Sequence, residues 1–168
     1  MNAEELRAMQ APLKEHYKVA PDAALITLKA KGRIGEGITC KVETGRALAE
    51  AGLHPATGGD GLSLCSGDML LEALVACAGV TLRAVSTAIG VELRDATVHA
   101  EGDLDFRGTL GVSKEALVGF KAIRLRFDLD TDATPEQIAS LLKLTERYCV
   151  VLQTLKNPAQ ISAEMKVI

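Results

Sequence analysis

The sequence lacks tryptophan, is poor in other aromatic residues and has no excess of basic ones. Its 168 residues include two tyrosines and three phenylalanines, too few for a surface that stacks on nucleobases. Lysine and arginine number 19, and aspartate and glutamate 22, interspersed along the chain for a formal net charge of -3. No stripe of positive charge is available to neutralise a phosphate backbone. We therefore expect no nucleic acid partner.

The chain also lacks the short motifs of nucleotide and zinc sites. It has no glycine loop followed by lysine and serine or threonine, the motif that cradles phosphates, and its four cysteines form no CxxC pair. We therefore expect neither a cofactor nor a bound metal. The cysteines, Cys40, Cys65, Cys77 and Cys149, are too few and too dispersed for a secreted disulfide framework. In a reducing compartment each is either a small core residue or a reactive thiol.

No segment has the composition of a secretory signal or forms an uninterrupted apolar run long enough to span a bilayer. The N-terminal stretch MNAEELRAMQAPLKEHYKVA is polar and amphipathic. These features favour a cytoplasmic protein without a membrane partner. The length and the 48% of hydrophobic residues suit one globular domain over 1–168, with 1–21 as an N-terminal helical extension.

Hydrophobic periodicity and turn residues predict an α+β fold with a mostly antiparallel sheet against two helices. After the N-terminal helix, two strands flank the turn GRIGEG at 32–37, and a glycine-bearing loop follows at 46–67. A long helix comes next, capped by Ser66 or Asp68 and stopped at Gly90, followed by strands within 91–106 and 120–133. A second long helix is predicted over 134–157. It begins with a capping box of Thr134 and Gln137, with Pro135 at its first position, and a last strand follows at 159–168.

The first long helix is apolar nearly all round. Between Met69 and Leu82 its only charged residue is Glu72, and small residues such as Ala73 and Gly79 let a neighbour approach closely. A helix of this kind must be covered by a sheet, another helix or a second subunit. At about 1.5 Å per residue it runs for about 35 Å, which is long for a domain of this size and favours a dimer that shares it.

A cysteine lies on each of the two long helices. Cys77 is about three turns inside the first, too far from the helix end for the partial charge there to lower its pKa. Taken singly, each cysteine is best interpreted as an inert core residue whose pKa is raised by burial. Taken together, Cys77 and Cys149 on packed helices could come within disulfide reach. A thiolate, held ionised by a cation, could then reduce a peroxide to leave a sulfenic acid that the second thiol captures.

Two segments resemble the OsmC/Ohr family of hydroperoxide-detoxifying proteins: GGDGLSLCSGDMLLEALVACAGVTL at 58–82 and TERYCVVLQTL at 145–155. The family pattern has a glycine-rich approach, a helix of the form ELLxAAxAAC and a later AExxCPVxxxL. The resemblance covers the chain from about residue 22 to its end. It implies an OsmC-like fold in which mostly antiparallel sheets wrap around two central helices in an intertwined homodimer, with two active sites at the interface.

The resemblance also implies roles for four residues. Cys77 matches the cysteine that attacks the peroxide, and Cys149 matches the one that resolves the sulfenic acid. Arg33, in the first hairpin, is the best match for the family arginine, and Arg46 is its competitor. The guanidinium of this arginine would favour the thiolate form of Cys77 and bind a peroxide oxygen. Asp68 is the carboxylate that could orient the arginine, or else a partner of the helix start.

Three positions depart from the family pattern. Gly67 stands where the organic-hydroperoxide subgroup has its glutamate. Val150 replaces the proline after the second cysteine, so the backbone break that presents this thiol is expected to be absent. Cys65 is an extra thiol that is either an alternative resolving partner or incidental, and Cys40 is predicted to pack within a strand.

These observations leave three hypotheses. The first is a thiol-dependent peroxidase that reduces organic hydroperoxides in oxidative stress defence through a two-cysteine sulfenic acid and disulfide cycle, with a dithiol such as a lipoyl protein as reductant. The second is an OsmC-like protein without strong peroxidase activity that binds a small apolar or thiol ligand at the dimer interface, which the missing glutamate and proline favour. The third is a structural domain whose cysteines only pack the core.

Overall fold

In the computed structural model, which describes residues 2–19, 31–34, 39–43, 48–111 and 113–167, a long helix joins a four-stranded sheet to a two-stranded one. The helices are α1 (Ala3–Val19), α2 (Ser66–Ile89), α3 (Phe106–Thr109), α4 (Pro135–Tyr148) and α5 (Val150–Lys156). The strands are β1 (Lys31–Ile34), β2 (Thr39–Glu43), β3 (Leu48–Gly52), β4 (Leu64–Cys65), β5 (Asp95–Leu104) and β6 (Phe120–Asp130). Helices and strands in this mixture confirm the predicted α+β class.

The first sheet has the strand order β1-β2-β3-β4, antiparallel except between β3 and β4. The predicted hairpin is present, but Arg33 lies within β1, opposite Lys41, and not in the turn where the sequence placed it. The prediction of a loop over 46–67 is also wrong, because β3, β4 and a 3-10 helix at Pro55–Thr57 occupy much of it. The sequence of β3, LAEAG, is rich in residues that seldom form strands, so its conformation depends on pairing with β2.

The second sheet is the antiparallel pair of β5 and β6, and it confirms the predicted strand pair. Along β6 the partly buried residues alternate with exposed ones, as the sequence pattern predicts. From Ile123 onward the partly buried positions are Ile123, Leu125, Phe127 and Leu129. The sheet thus has one face toward the helices and one toward solvent.

Helix α2 forms the centre of the described chain and contacts α1, α4, α5 and β5. Its buried residues include Leu74, Ala78, Leu82 and Val85. Gly90 ends the helix in the left-handed conformation, with φ of 72°, as the sequence predicts. The cap at the other end is Cys65 rather than Ser66 or Asp68, and its side chain makes no capping hydrogen bond.

The second long helix is divided into α4 and α5. Its start matches the prediction, because the Thr134 side chain accepts from the Gln137 N–H and the Gln137 side chain accepts from the Thr134 N–H. The prediction of one continuous helix over 134–157 is wrong. Cys149 has φ of -72° and ψ of 105°, an extended conformation that stops α4 and starts α5. The backbone break is therefore present although Val150 is not a proline.

The predicted last strand is absent from the described residues beyond Lys156. The alternating apolar residues there are almost fully exposed: Ile161 by 90%, Met165 by 99% and Val167 by 97%. A strand needs a neighbour to satisfy its backbone groups. The described part of this chain pairs no strand with the segment, so the alternation alone does not produce one.

By length and composition alone, α2 is apolar enough to cross a membrane, although it contains the charged residues Asp68, Glu72 and Arg83. The core helix of a water-soluble protein passes the same test. The contacts that α2 makes with β5, α4 and α5 are those of a core helix.

Candidate functional site

Cys77 and Cys149 meet where α2 packs against the junction of α4 and α5. Cys149 is fully buried against Leu74 and Ala78, and Cys77 is partly buried beside them. Both are free thiols, and their side chains hydrogen-bond to each other. The two cysteines that the sequence singles out therefore face each other in one protomer.

The environment of Cys77 lowers the pKa of its thiol below the ordinary value. Burial is the largest single influence and acts upward, but four hydrogen bonds to the sulfur together outweigh it. In order of strength, these partners are the N–H of Val151, the side chain of Cys149, the N–H of Val150 and the side chain of Thr81, whose hydroxyl also donates to the Cys77 carbonyl oxygen at 2.8 Å. The expectation of a raised pKa in apolar surroundings is thus wrong for Cys77.

The pKa of Cys149 moves in the opposite direction. Burial raises it most. The N–H of Leu152 lowers it, the adjacent Cys77 sulfur raises it again, and the N–H of Val151 has the smallest, lowering effect. Cys149 therefore keeps its proton and donates it in the hydrogen bond to Cys77. The pair is polarised, with Cys77 as the better nucleophile and Cys149 as a protonated neighbour.

The helix break explains why backbone donors are available in a buried site. In an uninterrupted α-helix, the N–H of Val150 would donate to the carbonyl of Glu146, four residues earlier. The extended conformation of Cys149 separates the backbone hydrogen bonds of α4 from those of α5. The Cys149 N–H still donates to Thr145 O at 3.0 Å, as in α4, and the Cys149 carbonyl accepts from Gln153 N at 2.9 Å, as in α5. The N–H groups between these two bonds are free to face the Cys77 sulfur.

Asp68 and Cys77 lie apart on the same helix. Asp68 is in the first turn of α2, about 13 Å along the helix axis from Cys77. It lines a cavity of about 360 Å³ together with His54 and Cys65. The structure therefore shows Asp68 at the helix start and does not bring it to the thiol pair.

The remaining predicted residues belong to the first sheet or lie outside the described chain. The backbone of Arg33 is in β1, at the edge of the sheet opposite β4, and its side chain is outside the described part, as is all of Arg46. Cys40 pairs with Ala51 in β2, which confirms its strand position. The role of Arg33 as the activating cation stays a prediction.

Cys65 lies at the start of α2, where a more apolar cavity adjoins the one beside Asp68 and shares Cys65, Phe106 and Phe120 with it. It lines a cavity of about 400 Å³ with Leu70, Leu104, Phe106 and Phe120 among the walls. The His54 ring stacks on Phe106, with ring centroids 4.9 Å apart. Within the described ranges, no three histidine, cysteine or acidic side chains are grouped to hold a metal ion.

Sequence reasoning missed the backbone donors of Val150 and Val151 and the side chain of Gln153. One signal for the break was present: the run Tyr148, Cys149, Val150, Val151 consists of weak helix formers. That signal was outweighed by the good helix formers on either side. No sequence pattern indicates the direction in which the N–H groups of Val150 and Val151 point.

The comparison with protein families decides the identity of this fold. A family model for OsmC-like proteins matches residues 58–164. The chain belongs to the OsmC family. The matched range contains both thiols of the polarised pair and the whole of α2, α4 and α5. The search of curated proteins finds no match to this sequence.

Solved structures of OsmC-like and organic hydroperoxide resistance proteins share the fold. An OsmC-like protein from Mycoplasma pneumoniae is 13% identical with a TM-score of 0.67, covering 79% of this chain and 89% of that one. An organic hydroperoxide resistance protein OsmC from Legionella pneumophila is 19% identical, with a TM-score of 0.62 and coverages of 80% and 92%. The protein OhrB of Bacillus subtilis is 19% identical, with a TM-score of 0.54 and coverages of 80% and 94%. The two-helix core with its sheets is thus the OsmC-like fold.

Proposed function

We propose that this OsmC family protein is a thiol-dependent peroxidase that reduces organic hydroperoxides in oxidative stress defence. The observation that carries the proposal is the polarised pair, in which Cys77 has a lowered pKa and the protonated Cys149 is hydrogen-bonded to it. The thiolate is the nucleophilic form of cysteine, and a second thiol in contact can capture its oxidised product. Solved relatives called organic hydroperoxide resistance proteins support the same assignment.

The reaction runs in three balanced steps. The Cys77 thiolate attacks one peroxide oxygen, so that an S–O bond forms, the O–O bond breaks, and the alkoxide takes a proton to leave as an alcohol. Cys149 then attacks the sulfur of the Cys77 sulfenic acid, forming the disulfide and releasing water. A dithiol reductant, for which a lipoyl protein is one candidate, reopens the disulfide by exchange and leaves as a disulfide itself.

The proposed molecule is a cytoplasmic homodimer, and the exposed face of α2 supports the dimer. Leu70, Ala73, Ala76 and Val80 follow one another at intervals of three or four residues and are all exposed in the single chain, Val80 by 73%. This spacing places them on one side of the helix. A second copy of the chain would remove this apolar face from water.

A specific observation also favours the ligand-binding alternative. The apolar cavity of about 400 Å³ beside Cys65 is within the size range of small-molecule sites, and two phenylalanines line it. A protein that uses this cavity would bind a small apolar or thiol-containing molecule without turning over hydroperoxide.

The experiment that tests the proposal treats the reduced protein with one equivalent of tert-butyl hydroperoxide. Peptide mapping by mass spectrometry, before any reductant is added, then identifies the oxidised cysteines. We expect a Cys77–Cys149 disulfide within seconds, because the two side chains are already in contact. Free thiols after several minutes would contradict the peroxidase assignment and turn attention to the cavity.

Three serine variants assign the steps. Cys77→Ser should abolish hydroperoxide reduction. Cys149→Ser should allow a single turnover and leave a sulfenic acid or a higher oxide on Cys77. Cys65→Ser is the matched control and should keep full turnover with a dithiol; full turnover by Cys77→Ser would refute the assignment.

A further inference from the structure

Gln153 links α5 back to α4 across the break at Cys149. Its side-chain Nε2 donates to the carbonyl oxygen of Glu146 at 2.8 Å, in a partly buried position. That carbonyl is the one that would accept the N–H of Val150 if the helix were continuous. A side-chain donor has therefore taken the place of a backbone donor at the end of α4.

The Gln153 amide is held in this orientation by a second contact. Its Oε1 accepts from the Nδ2 of Asn157 at 3.2 Å, so the amide nitrogen is left to face Glu146. The backbone N–H of Gln153 donates to the carbonyl of Cys149 at 2.9 Å and begins the α5 ladder. Gln153 is thus bound to both sides of the break.

We propose that Gln153 is a positioning residue, which keeps the backbone open at Cys149 and so keeps the N–H groups of Val150 and Val151 turned toward the Cys77 sulfur. With Cys149 extended and Glu146 O bonded to Gln153 Nε2, the Val150 N–H makes no bond to the end of α4 and remains available to the thiolate. Removal of the Gln153 donor leaves a partly buried carbonyl unpaired. In a continuous helix the backbone donor to this carbonyl is the Val150 N–H, and its return to that bond would take a donor away from Cys77.

The test measures how fast iodoacetamide alkylates Cys77 in the folded, reduced full-length protein between pH 5 and 10, roughly the range that brackets thiol titration. Peptide mapping separates Cys77 from the other cysteines. In Gln153→Met, which removes the donor and adds no charge, we expect the Cys77 profile to move to higher pH. At pH values below the Cys77 pKa, its alkylation should slow by roughly threefold to tenfold, because less of the sulfur is then thiolate.

Lys156→Met is the matched control on the same helix. Lys156 Nζ also contacts Glu146, but it donates to the side-chain carboxylate oxygen Oε2 at 3.1 Å. This ion pair does not involve the backbone carbonyl of Glu146. We expect the Lys156→Met profile to match that of the unmodified protein. An unchanged profile in a folded Gln153→Met variant would overturn the proposal, as would an equal shift in Lys156→Met.

A second variant keeps the test decisive if Gln153→Met folds poorly. Gln153→Asn keeps an amide but shortens the side chain by one methylene, so it should shift the Cys77 profile in the same direction.

The inference concerns the site of the proposed peroxidase and rests on that function for its biological meaning. Alkylation needs no hydroperoxide turnover, so a shifted profile in a protein that fails the hydroperoxide test would leave the positioning role intact.

Discussion

At the scale of single residues, the important property of Cys77 is the set of donors around its sulfur. A buried thiol without donors keeps its proton, because burial disfavours the charged form. Here Val151, Val150, Cys149 and Thr81 together reverse the effect of burial. Charge on the thiolate is therefore stabilised within one protomer, before any contribution from an arginine.

This environment predicts a pH dependence for Cys77. Since its pKa is lowered, the thiolate is already the main form at pH values where an ordinary thiol is still protonated. We expect the alkylation rate of Cys77 to reach its plateau at lower pH in the folded protein than in the same protein unfolded in urea. Cys149 should change in the opposite direction, since its pKa is raised in the folded state.

Site-resolved alkylation across a pH series checks both directions in one experiment. The urea-unfolded protein is the control, because unfolding removes the hydrogen bonds and leaves the sequence unchanged. Identical Cys77 profiles in the folded and unfolded protein would contradict the donor environment described here.

Thr145 is a residue where polarity has an energetic cost. Its side chain is 1% exposed, and its hydroxyl has no hydrogen-bond partner among the described residues. An unsatisfied buried polar group costs about 1 to 3 kcal/mol. We expect Thr145→Val, which keeps the side-chain shape, to raise the free energy of unfolding of the reduced protein by about 1 kcal/mol or more, measured by urea denaturation.

The matched control is Thr87→Val on α2. The Thr87 hydroxyl donates to the carbonyl of Arg83 at 2.8 Å near the surface, so its loss should change stability by at most about 0.5 kcal/mol. A destabilised Thr145→Val would show that the hydroxyl has a partner in solution.

At the scale of elements, helix ends depend on local sequence in some places and on packing in others. The start of α4 is local, because Thr134, Pro135 and Gln137 together form a capping box that any chain with this sequence can form. The end of α2 is local as well, because Gly90 adopts the left-handed conformation at little cost. Both were predictable from the sequence.

The end of α4 is different, because it depends on contacts between distant residues. Cys149 packs against Leu74 and Ala78 of α2, and the Val151 and Leu152 side chains join the same cluster. Packing of these residues against α2 favours the break over one more turn of helix. A sequence window around Cys149 contains none of the α2 residues, which is why the continuous helix was predicted.

Among the strands, too, some follow from the local sequence pattern and others depend on packing. The β5 and β6 pair has clear alternation, and it was predictable. Strand β3 has a weak pattern and forms beside β2, whereas the alternating segment at 159–167 has a good pattern and no paired neighbour in the described chain. Alternation indicates which residues suit a strand, but pairing decides whether the strand forms.

At the scale of the whole molecule, the exposed apolar face of α2 predicts self-association. We expect Val80→Glu to convert a dimer into monomers and to raise the dimer dissociation constant by at least about 100-fold, because an unpaired carboxylate would be buried at the interface. Size-exclusion chromatography with light scattering measures the change. Lys143→Glu, on an exposed part of α4, is the control and should leave the dimer intact.

Two results would contradict this account of α2. A monomeric unmodified protein would show that the face of Val80 is not a dimer interface. A protein that sediments with membranes and needs detergent for extraction would show that lipid covers the helix instead, as the length and composition of α2 alone permit.

The sequence by itself determined the α+β class, the end of α2 at Gly90, the capping of α4 and the choice of Cys77 and Cys149, because these depend on periodicity, local caps and short motifs. The tertiary structure alone decided the break at Cys149, the opposite pKa shifts of the two thiols and the place of Gln153. The physical reason is that hydrogen-bond donors act on a sulfur only through their direction in space, and that direction is set by packing between helices distant in the chain.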